Sequence, residues 1–241
     1  MMRIAYITGA LLIGQLAMGQ KWVPATSEEI DGFHQKMETA YNQDNYGFAI
    51  RHASYKGHGS IKPEDEQLGY FYKAGSRFHS KVMGVETIQD EKVVVSILPS
   101  EKGLYLTAPE KDLVRHFTAM EKEQIMDWIA STEKMKEGST TWMRYNYKKD
   151  LPLEKVEVQT NKQGFVLALK MYYAVPLPWE DEKGEEHKTK PRLEIHYNKV
   201  DSETVANSAL SVSHMVRETP QGYTPSTRFK DYEVYDMRVS N

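Results

Sequence analysis

Between Tyr46 and Thr107 the polarity of the chain alternates at every second residue, and each interruption is too short for anything but a reversal of direction. Tyr46 to Tyr55, Gln67 to Lys73, Arg77 to Val82, Val85 to Gln89, Val93 to Leu98 and Leu104 to Thr107 have the two-residue period of strands. Gly57-His58-Gly59, Ala74-Gly75-Ser76, Met83-Gly84, Asp90-Glu91 and Pro99-Ser100-Glu101-Lys102-Gly103 separate them. Gly, Asp, Ser and Pro are the residues that tight reversals need. Parallel neighbours require a crossover of about a dozen residues or more. The run therefore reads as an antiparallel meander.

Strands return in the second half: Thr141 to Tyr147, Glu154 to Thr160, Phe165 to Val175, Arg192 to Asn198, Ala209 to Glu218 and Phe229 to Val239. Phe165, Leu167, Leu169, Met171 and Tyr173 mark one face of the longest, behind a turn at Asn161-Lys162-Gln163-Gly164. Pro176 to Pro191 reads as one long loop, with Trp179 between Pro178 and a charged run, Glu180 to Lys190.

Two stretches have helical spacing instead. Thr26-Ser27-Glu28-Glu29 is a capping box, and Ile30, Phe33, Met37, Ala40 and Tyr41 recur behind it on one face, with His34 on the polar side. A helix over about 27 to 42 follows. Ile125, Trp128, Ile129, Thr132 and Met135 give a second, mid-chain helix that begins among Glu121, Glu123 and Asp127 and stops at Gly138. Its apolar stripe must lie against a face of the sheet.

The first residues read as an export signal: Arg3, an apolar run from Ile4 to Leu16, then Ala17-Met18-Gly19 with cleavage before Gln20. An apolar run this short does not cross ~30 Å of hydrocarbon. The expected organisation is thus a signal peptide at 1–19 and a single β-rich domain at 20–241, periplasmic or secreted and not membrane-spanning. The chain has no cysteine, which rules out disulfides, thiol chemistry, Cys-ligated zinc and a lipidated N-terminal cysteine. Its 31 Lys and Arg against 34 Asp and Glu are well mixed, and losing Arg3 makes the balance more acidic, so nucleic acid is not an expected partner.

No catalytic pattern survives inspection. His34, His52, His58, His79, His116, His187, His196 and His214 never fall at H-x-x-x-H on a helix or H-x-H on a strand, so no metal is expected. There is no G-x-S-x-G elbow, and Gly57-His58-Gly59-Ser60 is followed by Ile61-Lys62-Pro63 instead of the Gly-Lys and helix of a phosphate loop. The nearest carboxylate pairs, Asp231 with Asp236 and Glu154 with Glu157, sit among lysines and arginines, where ion pairing accounts for them. The expectation is a protein that is not an enzyme and uses no cofactor.

The aromatic load is the remaining signal. Fifteen Tyr, seven Phe and four Trp concentrate in strands, and Tyr70-Phe71-Tyr72 and Tyr172-Tyr173 place rings on both faces of theirs. Both faces then need cover, or one of them lines a site.

The order of elements, with Gly69-Tyr70-Phe71-Tyr72-Lys73-Ala74-Gly75-Ser76-Arg77-Phe78 and Glu86-Thr87-Ile88-Gln89-Asp90 as its most similar stretches, resembles the LolA-like superfamily of periplasmic lipoprotein carriers. The resemblance implies an α+β fold: an antiparallel curved sheet, an open half-barrel, with an N-terminal helix and a mid-chain helix covering its concave face and enclosing an apolar cavity. The arginine with which that family closes its cavity has no matching motif here; Arg51 and Arg77 are the nearest strand arginines.

Two readings of function follow. In the first, the protein binds or carries an apolar small molecule, a lipid or a lipoprotein acyl chain. The expected lining is Leu68, Tyr70, Tyr72, Phe78, Leu167, Leu169 and Met171, with Trp128 and Ile129 as the lid. In the second it is a structural or interaction module of the envelope, binding another envelope protein through an edge strand or through an exposed Trp179.

Overall fold

The computed structural model describes residues 21–109, 126–180, 183–200 and 210–238. The expected signal peptide, and residues 110–125 with His116 and the front of the expected middle helix, lie outside them. One sheet of thirteen strands organises the rest, in the order β1-β8-β9-β10-β11-β14-β2-β3-β4-β5-β6-β7-β17. Its first half is the expected meander: β2 (Asn45–Tyr55), β3 (Asp65–Ala74), β4 (Arg77–Val82), β5 (Val85–Gln89), β6 (Val94–Leu98) and β7 (Gly103–Thr107) pair in sequence order. A second meander contains β8 (Ile129–Glu137), β9 (Thr140–Tyr147), β10 (Leu153–Thr160) and β11 (Val166–Tyr173). The strand β14 (Arg192–Val200) joins the two, pairing with β11 on one side and along nine residues of β2 on the other.

The sheet curves but does not close, since β1 (Val23–Pro24) and β17 (Glu233–Asp236) are its two edges. Gly69 permits part of the bend. A Cβ there would sit 2.2 Å from the Lys81 carbonyl oxygen, so only glycine lets β4 fold this close over β3.

Connectivity decides where the helix α1 (Ser27–Tyr41) goes. It links β1 at one edge to β2, with five strands between them. Strands lie ~4.8 Å apart, and a helix of 15 residues is roughly 22 Å long. The helix must therefore travel across one face of the sheet. Its capping box forms as the sequence implies, with the Glu29 amide donating to the Thr26 hydroxyl and the Thr26 amide to the Glu29 carboxylate. Ile30 and Phe33 pack on Met143 and Tyr145, while Ala40 and Tyr41 join Tyr46, Phe48, Ile50 and Phe165. Gly164 holds the helix down. At φ +95° its absent side chain leaves room for the Lys36 carbonyl, which a Cβ would approach to 2.2 Å.

The open half-barrel is present, and one expected element within it is corrected. Ile129–Glu137 is not the body of a mid-chain helix but the strand β8, laddered to β9; the described residues before it, 126–128, are helical. The stop at Gly138 explains the misreading. A glycine at φ +58° ends a helix or turns a two-residue hairpin equally well, and here it turns the hairpin into β9. A bulge between Ile129 and Ser131 further blurs the two-residue period. Roofing of the concave face therefore falls to α1 among the described residues.

Three smaller corrections concern the C-terminal third. Within the expected long loop, β12 (Leu177–Glu180) and β13 (Glu186–Thr189) form a hairpin. The expected strand ending at Glu218 is a 3-10 turn at Val212–His214 followed by β15 (Val216–Thr219), which pairs with β16 (Gly222–Pro225). The last strand shrinks to β17 and runs parallel to β7, the exception in an otherwise antiparallel sheet. Val212, Met215, Val216 and Phe229 from this region pack on Ile88, Val95, Ile97, Leu104 and Leu106. By register those five residues share the face opposite α1, so the sheet is covered on its outer side there and on its inner side elsewhere.

Candidate functional site

The ladders sort side chains into an inner face, under α1, and an outer face. Ile50, Phe71, Val156, Val158, Leu169 and Tyr197 face inward together with Tyr145 and Tyr147. Arg144, Glu157, Lys170, Glu194 and His196 occupy the alternate positions and point outward. There they are paired: Arg144 to Glu157 at 2.8 Å, Arg192 to Glu194 at 2.9 Å and His196 to Glu194 at 3.0 Å. These charges of β9, β10 and β11 are thus on the outer side; on the inner side Lys134 of β8 pairs with Glu29 of α1, and Lys199 of β14 lies over the Phe165 ring. That leaves the inner side apolar beneath α1, at Tyr145 and Tyr147 of β9, Val156 and Val158 of β10, Leu169 of β11 and Ile50 of β2.

The apolar side is not filled. A chamber of about 280 Å³ remains between α1 and the sheet. Its lining comprises His34, Met37 and Tyr41 from the helix, Phe48, Ile50, Phe71, Tyr145, Tyr147, Val156, Val158, Val166, Leu169 and Tyr197 from strands, with Met126 just before β8 and Ile129 at its start. His34, expected on the polar side of α1, faces the chamber instead, where its Nε2 lies 3.0 Å from the Tyr145 hydroxyl. That partner on a facing strand could not be read from a helical wheel. The Tyr41 hydroxyl accepts from the Val166 amide at 3.3 Å. Burial pushes the phenols of Tyr41 and Tyr145 well above the ordinary range and that of Tyr197 up to about 12, so all three are uncharged at neutral pH.

A second chamber, of about 500 Å³, continues along the inner face toward β7 and shares Ile50, Phe71 and Tyr197 with the first. Its walls differ in kind. His52, Ser80, Thr87, Gln89, Ser96 and Thr107 alternate with Phe78, Val82, Val94 and Ile195. Sequence reasoning passed over these polar residues because, one at a time, each reads as the solvent side of an amphipathic strand. Only the curl of the sheet turns them toward one another.

Of the residues expected to line a cavity, Phe78 faces the second chamber and Leu169 and Ile129 the first. Met171 packs against the neighbouring core, and Leu167, at the bulge opposite Thr160, lines neither chamber. Tyr70 and Tyr72 fall on the outer face, where they stack on each other at 5.2 Å, and Leu68 beside them is 77% exposed. Phe71 is the member of the Tyr70-Phe71-Tyr72 triplet that points inward. Trp128 is exposed and forms no lid. Trp179 is not presented on a loop: its ring stacks on His187 at 4.6 Å and lies under the Lys56 ammonium, 3.8 Å from the ring centre. Arg51 and Arg77 pair with Glu66 and Glu91.

No family model matches the chain, and no curated protein does. Solved structures do. An uncharacterised conserved protein from Thermus thermophilus is 12% identical over 86% of this chain and 98% of its own, with a TM-score of 0.42. A LolA superfamily protein from Nitrosomonas europaea is 10% identical, covering 78% of this chain and 98% of its own at a TM-score of 0.29. A DUF1329 family protein from Desulfovibrio piger is 10% identical, covering 76% and 97% at a TM-score of 0.31. The chambers themselves rest on this chain's own residues.

Chemically the arrangement suits containment. Among the described residues no cluster of three or more His, Asp or Glu side chains is placed to hold a metal ion, and no helix is long and apolar enough to cross a membrane. Acidic residues on the sheet's strands are held in ion pairs, as with Glu154 and Lys190 at 2.9 Å.

Proposed function

We propose that the protein is an exported, non-catalytic binding or carrier protein that holds an apolar ligand, such as a lipid acyl chain, between α1 and the inner face of the half-barrel. One observation carries this: the space beneath α1 is open and apolar, while Arg144, Glu157, Arg192 and Glu194 of the same strands are turned outward and paired. A folding core is normally packed to crystal-like density, with few voids larger than a water molecule. Two adjoining chambers of about 280 and 500 Å³ together fall in the range of ligand sites, ~300–1,000 Å³. A chain of about ten carbons contributes roughly 8 kcal/mol on burial. That is the free energy of a micromolar complex before immobilisation costs are taken off.

In this reading residues 20–241 form one domain that works in the periplasm or outside the cell after loss of its signal peptide. The alternative, an envelope interaction module working through Trp179, has less support, because that ring is already held between His187 and Lys56. Titrating the purified protein with the neutral fluorophore N-phenyl-1-naphthylamine tests the proposal. A saturable, blue-shifted rise with micromolar affinity, reversed by long-chain lipids, is expected. A fluorescence rise that never saturates, or that no lipid reverses, ends the carrier reading.

A further inference from the structure

We propose that the second chamber seats the uncharged, hydroxyl-bearing head of an acylglycerol-type amphiphile, gripped by His52, while the acyl chain lies in the apolar chamber next to it. The inference rests on the carrier reading above and specifies what its ligand is.

The argument starts from a single side chain. His52 sits on the inner face of β2, opposite Gln67 on β3 and Ile195 on β14, and lines the second chamber. It is only 8% exposed, yet neither Nδ1 nor Nε2 has a hydrogen-bond partner among the described residues. Buried polar side chains almost always have a partner, so an orphaned imidazole at a cavity wall marks a place where a ligand supplies one. Burial alone lowers the His52 pKa, which keeps the ring neutral near pH 7. A neutral imidazole carries one N–H donor and one bare nitrogen acceptor. The group that satisfies both must itself donate and accept, as hydroxyls do.

The rest of the chamber agrees. Ser80, Thr87, Ser96 and Thr107 bring hydroxyls to the same space. Thr87 and Ser96 bond each other at 3.1 Å, and the Gln89 amide is anchored on the Ser76 carbonyl at 2.8 Å. These groups hydrogen-bond in either direction and carry no charge. No Asp, Glu, Lys or Arg lines the chamber among the described residues. A carboxylate or phosphate head would be stripped of water there with no counter-ion, a cost that a hydroxylated neutral head avoids. Ile50, Phe71 and Tyr197 wall both chambers, so the two adjoin, and a ligand spanning them would rest its chain in one and its head in the other.

Chain-matched competitors test the proposal. Monolauroylglycerol and laurate are each used to displace N-phenyl-1-naphthylamine from the intact protein at pH 7.5, in the wild type and in His52→Leu and His52→Gln. Monolauroylglycerol is expected to compete about tenfold better than laurate, roughly the worth of one or two satisfied hydrogen bonds. With each competition referred to the variant's own affinity for the fluorophore, His52→Leu should erase that preference, and His52→Gln, which keeps a donor and an acceptor, should retain most of it. On the unmutated protein, the ¹⁵N resonances of the His52 ring should move when monolauroylglycerol saturates the site. A fluorophore that binds, combined with laurate competing as well as monolauroylglycerol or with ring resonances that stay put at saturation, overturns the head-group assignment and spares the carrier reading. Failure of the fluorophore and of both lipids to bind overturns the two together.

Discussion

Val158→Phe separates an open chamber from a merely loose core. Val158 lies on the inner face of β10, with Met143 of β9 and Leu169 of β11 as its ladder partners, and its side chain lines the apolar chamber beneath α1. The substitution adds about four carbons, directed into a space of about 280 Å³. If that space receives a ligand, those carbons exclude an equal length of its chain. At ~0.8 kcal/mol per methylene the loss is roughly 3 kcal/mol, or about two orders of magnitude in affinity. Stability should move the other way. Filling an existing void commonly stabilises a fold by about 0.5–2 kcal/mol, whereas forcing a ring into a filled core costs about 1–3 kcal/mol. Two assays on one variant therefore suffice: N-phenyl-1-naphthylamine titration for binding and urea unfolding for stability. The expected pair is a right-shifted titration and an unfolding midpoint equal to or above that of the wild type. A destabilised protein that binds as well as before would falsify the chamber.

Other consequences are equally direct. Phe165 is fully buried and its ring lies within 5.8 Å of those of Tyr41, Tyr46 and Phe48, so Phe165→Ala should cost about 3–5 kcal/mol in urea unfolding; a loss below about 1 kcal/mol contradicts its central place in the core. Gly164→Ala must accept both φ +95° and a Cβ pressed on the Lys36 carbonyl, and should loosen α1. Faster amide exchange in α1 than in β2 reports it, and unchanged exchange argues against Gly164 as the clamp. Glu86 is held below the usual carboxylate value of 4.5, first by its hydrogen bond to His79, with further help from Arg228. A depressed carboxyl contributes stability that is complete above its unfolded-state pKa and disappears as pH falls through the folded value. Glu86→Gln should therefore flatten the acid limb of a stability–pH curve below about pH 4.5 while lowering the plateau above it; an acid limb of unchanged slope rejects that role.

Much of the fold was legible because antiparallel sheets are built from local instructions. Turn residues at Ala74-Gly75-Ser76 and Met83-Gly84 give β4 and β5 their ends, and the capping box at Thr26 starts α1 where the helix begins. The site was legible only in part. Tyr70, Phe71 and Tyr72 all read as cavity aromatics, yet a strand sends neighbours to opposite faces and the sequence does not say which face is inward. The ladder decides it: Phe71 lies opposite Phe48, which the helix covers, so Tyr70 and Tyr72 are outside. His34 was misplaced for a related reason, since its partner Tyr145 lies 111 residues along the chain.

The sequence by itself determined the strands of the first meander with their hairpin pairing, β9, β10, β11 and β14 of the second half, the leading helix and the lack of cysteine, because each depends on residues a few positions apart. Tertiary structure decided everything that requires distant segments to meet. Gly138 served a hairpin instead of a helix stop once β9 was available to pair with β8. The joining of two meanders through β14 and β2, and the passage of α1 over five strands, fixed which side of the sheet became the interior. On that side His52, Ser80, Thr87 and Ser96, each unremarkable in its own strand, share one cavity. Alternation along a strand specifies two faces, and only closure of the chain around one of them makes it an inside.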